Sequence, residues 1–371
     1  LKGMYWKSSN KSVIYYLVLA VFSLFGMYLV EHFRSENMQE HYSEKIEASK
    51  LSLKAFEEIK QYKESKGKRI NLDFDPSGSG LIGEFFTPVT SNLGVIRAKQ
   101  SSINPNFGAL VLEYLIQAGI QKGDTVAVSL SGSFPALNIA VYSAAKTLEL
   151  KLVIISSMTS SQWGANDPDF LWPDMEKWLY TRRIFPYKSL AYSWGGIEDQ
   201  AFGIPKEGSK NLQNSASINS LPMLHSRNYS ESLEERIGLY SAVIPLSEYK
   251  AYINVGGGTV SVGTKKNSAE FSPGLNLKQP VIRDGRDSVM RRFANLGIPI
   301  IHLVRVEELA IQNGFTIQPK KIPEIGEGKI FKRSEYDLRL ATIVLAGILV
   351  LLYVFFKRDH FIEEDDRDES L

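Results

Sequence analysis

Ser131, Gly132 and Ser133 stand where an apolar, β-branched run, DTVAV, gives way to PALNIAVYSAAK, which reads as a helix. In an open parallel sheet, ligands bind beyond the carboxyl ends of the strands. Pro135 suits a first helical turn, where its missing amide hydrogen is not needed. The free amides of that helix start, with two hydroxyls and Asn138 one turn on, would hold a carboxylate or a phosphate. The plainer reading is that Ser133 caps the helix and Gly132 lets the chain turn. No GxGxxG follows this strand and no GK[ST] occurs, so neither the full dinucleotide pattern nor a P-loop is present here. A nucleophilic serine is a further reading, with Ser131 or Ser133 attacking and His302, at the end of IPIIHL, as base. The GxSxG elbow is not met at either serine.

Three other stretches carry possible chemistry. DFDPSGSGLIGE places Asp73, Asp75, Ser77 and Glu84 at ligand positions of a calcium loop. Gly80 stands where that loop has an apolar residue, so a Pro/Gly turn is the simpler expectation and no metal is assigned. WGANDPDFLWPDMEKW offers Trp163, Asn166 and Asp167 as a binding rim, or as caps and buried aromatics, with Asp167-Pro168 starting a helix. NVGGG supplies Gly256 and Gly257, a backbone nest for an anion or a tight turn. A sugar-kinase-like phosphate motif has an acid before its glycines, and Asn254 stands there instead.

These residues need a scaffold that brings strand ends together. Strands are predicted at 125–130, 151–156, 189–193, 250–255 and 298–303. Helices are predicted at 105–119, 135–149, 168–183, 230–241, 285–296 and 305–313. The strands are almost wholly apolar, as in a parallel sheet covered on both faces. The alternation gives an α/β class, a doubly wound, mostly parallel sheet. Stretches 203–228 and 257–282, rich in Ser, Asn, Gly and Pro, read as long loops.

Residues 12–30 and 340–356 carry no charge. Each run, the second extended to Leu338, approaches the roughly 20 apolar residues that cross a bilayer. Bulky Glu31-His32-Phe33 disfavours signal-peptide cleavage after the first run. Lys2, Lys7 and Lys11 precede it, while acids and bases mix after it, which places both termini in the cytoplasm. The expected order is a tail at 1–11, a span at 12–30 and a helical stalk at 31–72. An extracytoplasmic domain at 73–328 and a linker at 329–337 follow, then a span at 338–356 and a solvated, disordered acidic tail at 357–371. There are no cysteines, which removes disulfides, zinc–thiolate sites and cysteine nucleophiles. The five histidines are scattered, and no HExxH pair points to a zinc hydrolase. The net charge of +2 gives no sign of a nucleic-acid partner. The sequence specifies no cofactor.

SGSFPALNIA, WGANDPDF with the following DME, NVGGG and GIPIIHLVRVEELA resemble the poly-gamma-glutamate system protein family, membrane proteins of bacterial poly-γ-glutamate systems. The resemblance covers about Asp73 to Gly328 and the flanking spans. SGSFPALN and WGAND are its most specific parts. The chain departs from it after SSM, where Thr159-Ser160-Ser161-Gln162 stands. The resemblance implies a bacterial inner membrane, and a place there beside the amide ligase and membrane subunits that make or export a poly-γ-glutamate capsule. It implies a pathway and no reaction.

Three functions follow. The first is a non-enzymatic accessory whose exported domain binds nascent poly-γ-glutamate and the synthase. The second is an exported γ-glutamyl hydrolase or transferase using Ser131 or Ser133 with His302. The third is a scaffold whose serines are caps. Residues 31–337 hold a net charge near +2, so a local site for a few glutamyl units is expected rather than a long basic groove.

Overall fold

The computed structural model describes residues 13–264, 269–278 and 286–368. The tail 1–11 and parts of the 257–282 stretch lie outside the described residues. Two compact units form. One contains the terminal segments, Leu1–Gln39 and Lys332–Leu371, and the other is Glu40–Phe331.

In the terminal unit, helices Val13–His32 and Leu338–Asp368 each hold a segment long and apolar enough to cross a membrane. They pack on each other where side chains are small. A Cβ added at Gly347 would come within 2.7 Å of the Phe22 ring, and one at Gly26 would strike Val344. Close approach at glycine is how apolar helices associate when no water drives them together. Outward-facing Leu17, Leu24, Phe25, Leu345, Leu349 and Val350 are uncovered. Strand Arg34–Met38 pairs antiparallel with Lys332–Tyr336 where the stalk helix was expected to begin. The second helix continues to Asp368, through a tail expected to be disordered. A helix already nucleated by its apolar run extends without a second nucleation cost.

The larger unit is built on a six-stranded sheet. Its strands are β1 (Thr125–Ser131), β2 (Lys151–Ser157), β3 (Ala191–Ser193), β4 (Ala251–Val255), β5 (Gly274–Asn276) and β6 (Ile300–Leu303). The spatial order is β5-β6-β4-β1-β2-β3. Every pairing is parallel except β5 on β6. Side chains alternate between the two faces. Val126, Val128 and Leu130 enter one core, and Ala127 enters the other. Helices cover both faces, so near-continuous apolar strands are what the layers require.

One face is covered by helices Tyr42–Ser65, Phe107–Gln117 and Pro135–Thr147. Ala48, Ala55, Phe56 and Ile59 are buried in the same core as the strands, so Tyr42–Ser65, expected as a stalk that docks on the domain, is a core helix of this unit. The approach is close at Gly108, where an added Cβ would meet the Ala48 carbonyl oxygen at 2.8 Å. The opposite face holds Tyr229–Val243 and Val289–Asn295, with Tyr240, Tyr249, Tyr252 and Phe293 in one aromatic cluster.

Two expected loops contain regular structure. Lys206–Asn219 is a helix inside the 203–228 stretch. Its Ser/Asn/Gly content is unfavourable for a helix, and packing overrides it. Leu212 is buried, Gly208 sits against the Pro88 carbonyl, and Ser215 and Asn219 bond Asp174. The 257–282 stretch holds the short helix Thr259–Val262 and strand β5. Asp167-Pro168 starts no helix. Asp167 ends the first strand of a small hairpin, Asn166–Asp167 against Phe170–Leu171, Pro168 and Asp169 make its bend, and the helix begins at Trp172. The Asp174 carboxylate takes the Leu171 amide at 2.9 Å to open that helix.

Candidate functional site

Chain order reverses between β1 and β4. From β1 the strands proceed outward to β2 and β3, and the chain then returns to the other side of β1 for β4 and β6. At such a switch point the connections leave on opposite sides and open a crevice at the carboxyl ends. The turn after β1 holds Ser131–Ser133, and the turn after β4 holds Gly256–Gly258. Between them lies a cleft of about 710 Å³, lined by Ser131, Ser133, Ser157, Thr159, Ser161, Arg236 and Gly257 among others.

The first wall is interlocked. Ser131 Oγ accepts the Ser133 amide at 3.1 Å, and Ser133 Oγ accepts the Ser161 amide at 3.0 Å. The Gly132 amide donates to the Ser157 carbonyl, and its own carbonyl accepts from the Ala165 amide at 2.8 Å. Asn138 Nδ2 donates to the Ser131 carbonyl from inside the helix, fully buried. The N-cap of that helix is Phe134, which makes no side-chain cap bond. Ser133 is therefore not the expected cap, because its hydroxyl binds the neighbouring loop instead.

Lys99 sits beneath this wall, 3% exposed. Its Nζ donates to the Ser133 carbonyl and lies 2.9 Å from Ser161 Oγ. Burial pulls the amine down from its ordinary range to about 7. The Phe134 ring lies 3.9 Å from Nζ and favours the ammonium by up to about 2 kcal/mol. Deep burial moves a lysine by up to 3–5 units, about 4–7 kcal/mol, so desolvation dominates.

The floor toward β3 carries a buried ion pair. Arg236 Nη2 lies 2.8 Å from Asp199 Oδ2 and 2.6 Å from Ser193 Oγ. The second wall is open. Gly256 has φ +82° and its carbonyl accepts Asn254 Nδ2 at 2.6 Å. A Cβ added at Gly257 would meet nothing within 4 Å. Among the described residues, the Asn254 Oδ1, Thr259 Oγ1 and Thr159 Oγ1 atoms are buried without a hydrogen-bond partner. Thr159 and Thr259 line the cleft. Unpartnered buried polar atoms are uncommon, and each is accounted for by strain, by a bound water or ion, or by function.

Of the residues singled out from the sequence, Ser131, Ser133 and Gly257 line this cleft, while Gly132, Asn138 and Gly256 shape it from behind. His302 is elsewhere. It is fully buried on β6, 3.2 Å from Asn254 Nδ2 through Nδ1, and strand β4 separates it from the serines. Burial, then Arg305, holds its imidazole down at about 4. The structure does not bring His302 to Ser131 or Ser133.

The WGAND segment braces the loop 84–90. Asn166 accepts the Glu84 amide at 3.0 Å and donates to the Glu84 carbonyl at 2.8 Å. Asp167 pairs with Lys68 at 2.6 Å. Trp163, at φ +58°, has Phe74 and Phe85 as ring neighbours. None of these three lines the cleft.

The calcium reading is not supported by the loop's bonding. The Asp75 carboxylate accepts from Ser77 Oγ, Ser79 N, Ser79 Oγ and Gly80 N at 2.7–3.1 Å. Asp73 is exposed, and the Glu84 backbone binds Trp163 and Asn166. Among the described residues no group of three or more His, Asp or Glu is placed to hold a metal. Residues 78–83, GSGLIG, have GxGxxG spacing but neither follow a strand nor open a helix.

Lys99, Asp199 and Arg236 were not singled out from the sequence, and Thr159 and Ser161 stood there only as the departure from the family pattern. Lys99 and Ser161 are 62 positions apart. Asp199 and Arg236 are 37 apart, so no local spacing marks either pair. The signal available was the hydroxyl run Thr159-Ser160-Ser161 directly after a predicted strand.

No protein-family model matches the chain, and neither does any curated protein or any solved structure.

Proposed function

We propose that the chain is a membrane-anchored accessory of poly-γ-glutamate synthesis or export whose Glu40–Phe331 unit binds the polymer at the switch-point cleft. The observation that carries the binding reading is the convergence of two strand-end turns on a cavity lined by hydroxyls and glycine backbone, with Glu198 and the Arg236–Asp199 pair also on its lining. Such a surface suits a ligand that alternates amide and carboxylate groups. The volume lies within the range of small-ligand sites, which suits a short stretch of polymer rather than a long track. The pathway rests on the sequence resemblance alone.

The terminal helices serve as bilayer spans in this reading. Their length, lack of internal charge and uncovered apolar faces support it. The basic N-terminal tail supports cytoplasmic termini, an extracytoplasmic larger unit, and partners among the synthase's ligase and membrane subunits.

Retention of the full-length, detergent-solubilised protein on immobilised poly-γ-glutamate tests the function. Retention that salt weakens and free γ-glutamyl oligomers displace is expected. Passage through the column unretained at low salt would remove the reading. Protease added outside intact cells should cut the larger unit, and complete protection would reverse the topology.

A further inference from the structure

We propose that Ser161 and Lys99 form a serine–lysine pair for acyl transfer on a polar amide, with Ser161 Oγ as nucleophile and Lys99 Nζ as general base.

The geometry is that of an activated nucleophile: a hydroxyl within hydrogen-bond reach of a base that a third group orients. Nζ lies 2.9 Å from Ser161 Oγ, and the Ser133 carbonyl accepts another of its hydrogens and fixes the amine. A neutral amine has two hydrogens and one lone pair. With one hydrogen on Ser133, the lone pair is available to the Ser161 hydroxyl. No carboxylate is paired with this lysine among the described residues, whereas Lys45 and Lys68 are held by acids. Burial brings the amine near neutrality, where a base works best at physiological pH.

Access and location fit as well. Lys99 is enclosed, and Ser161 is partly exposed. Ser161 lines both the switch-point cleft and a second cavity of about 630 Å³ that also touches Lys99, so the pair sits where the two meet. The Ser161 amide is fixed by Ser133 Oγ, so the turn that drew attention in the sequence positions the nucleophile rather than supplying it.

The step balances with water as the only co-reactant. Ser161 Oγ bonds to the amide carbon as its proton passes to Lys99 Nζ. The carbon–nitrogen bond breaks, and Nζ returns that proton to the leaving amine. Water then attacks the ester, gives a proton to Nζ and releases the carboxylic acid, and the proton returns to Ser161. This inference does not depend on the polymer reading.

The test uses a fluorophosphonate probe on the full-length protein in detergent, with the labelled peptide identified by mass spectrometry. Labelling at Ser161 is expected, absent in Ser161→Ala, with a rate that rises through a midpoint near pH 7. Lys99→Arg, which keeps the charge but cannot release a proton, should lower the rate at least 100-fold. No label on Ser161 in folded protein would overturn the proposal, as would a midpoint near pH 10. The wild-type pH profile decides even if the arginine variant does not fold. Column retention of the unlabelled protein is read separately, so loss of labelling and loss of polymer binding are distinguishable.

Discussion

The two walls of the cleft are built on opposite plans. After β1, the turn at 131–133 and the loop at 158–164 are joined by side-chain-to-amide bonds and by contacts that leave no room for a methyl group. After β4, the turn at 256–258 leaves open space at Gly257. A rigid wall holds reactive groups in register. An open wall can take up a ligand. The difference assigns positioning to the first turn and admission to the second.

The contrast can be broken most forcefully at the floor on the interlocked side. Arg236→Leu leaves the Asp199 carboxylate buried without its partner, a change that destabilises by about 3–5 kcal/mol. Urea unfolding of the detergent-solubilised protein checks this, and an unchanged midpoint would show the pair to be dispensable.

The second effect lies behind the open wall and depends on pH. His302 is held down at about 4, so between pH 6.5 and 4 the unfolded chain binds a proton that the folded chain refuses. Stability is therefore lost as pH falls through that window, by up to roughly 3 kcal/mol. His302→Gln should flatten this dependence, measured as melting temperature against pH.

Glycine replacements sharpen the comparison directly. A Cβ at Gly164 would come within 2.6 Å of Ser160 Oγ, 2.8 Å of the Gly132 carbonyl oxygen and 2.9 Å of Ser133 Cα. Gly164→Ala should then lower stability by about 1–3 kcal/mol. Gly256→Ala meets Ser131 Cβ only at 3.4 Å, but its φ of +82° makes about 1–2 kcal/mol the expected loss. Gly257→Ala has neither obstacle and should fall within about 0.5 kcal/mol of wild type. Equal losses at 164 and 257 would erase the distinction between the walls.

The order of strands and helices was legible because the larger unit is layered. Apolar runs such as TVAVSLS can be buried on both faces only between helices, and they read as such. The helix at 206–219 was not legible, because its formation rests on Leu212 and on Asp174 from another element. Ser131, Ser133 and Gly257 were reachable from the sequence since strand ends in a parallel sheet share one edge. Lys99 was not. It comes from a short helix outside the alternating pattern, and only the tertiary fold places its amine beside Ser161. His302 misled for a related reason. It ends a strand at the expected edge, but β4 stands between it and the serines.

The measurement that bears most directly on the cleft as the polymer site is poly-γ-glutamate binding by full-length Gly257→Asp beside Gly257→Ala. The backbone at Gly257 tolerates a side chain, so both proteins should fold, and only the aspartate places a negative charge at the open wall. Binding retained in the alanine variant and lost at least tenfold in the aspartate variant is the predicted result. Equal binding by the two would place the polymer elsewhere.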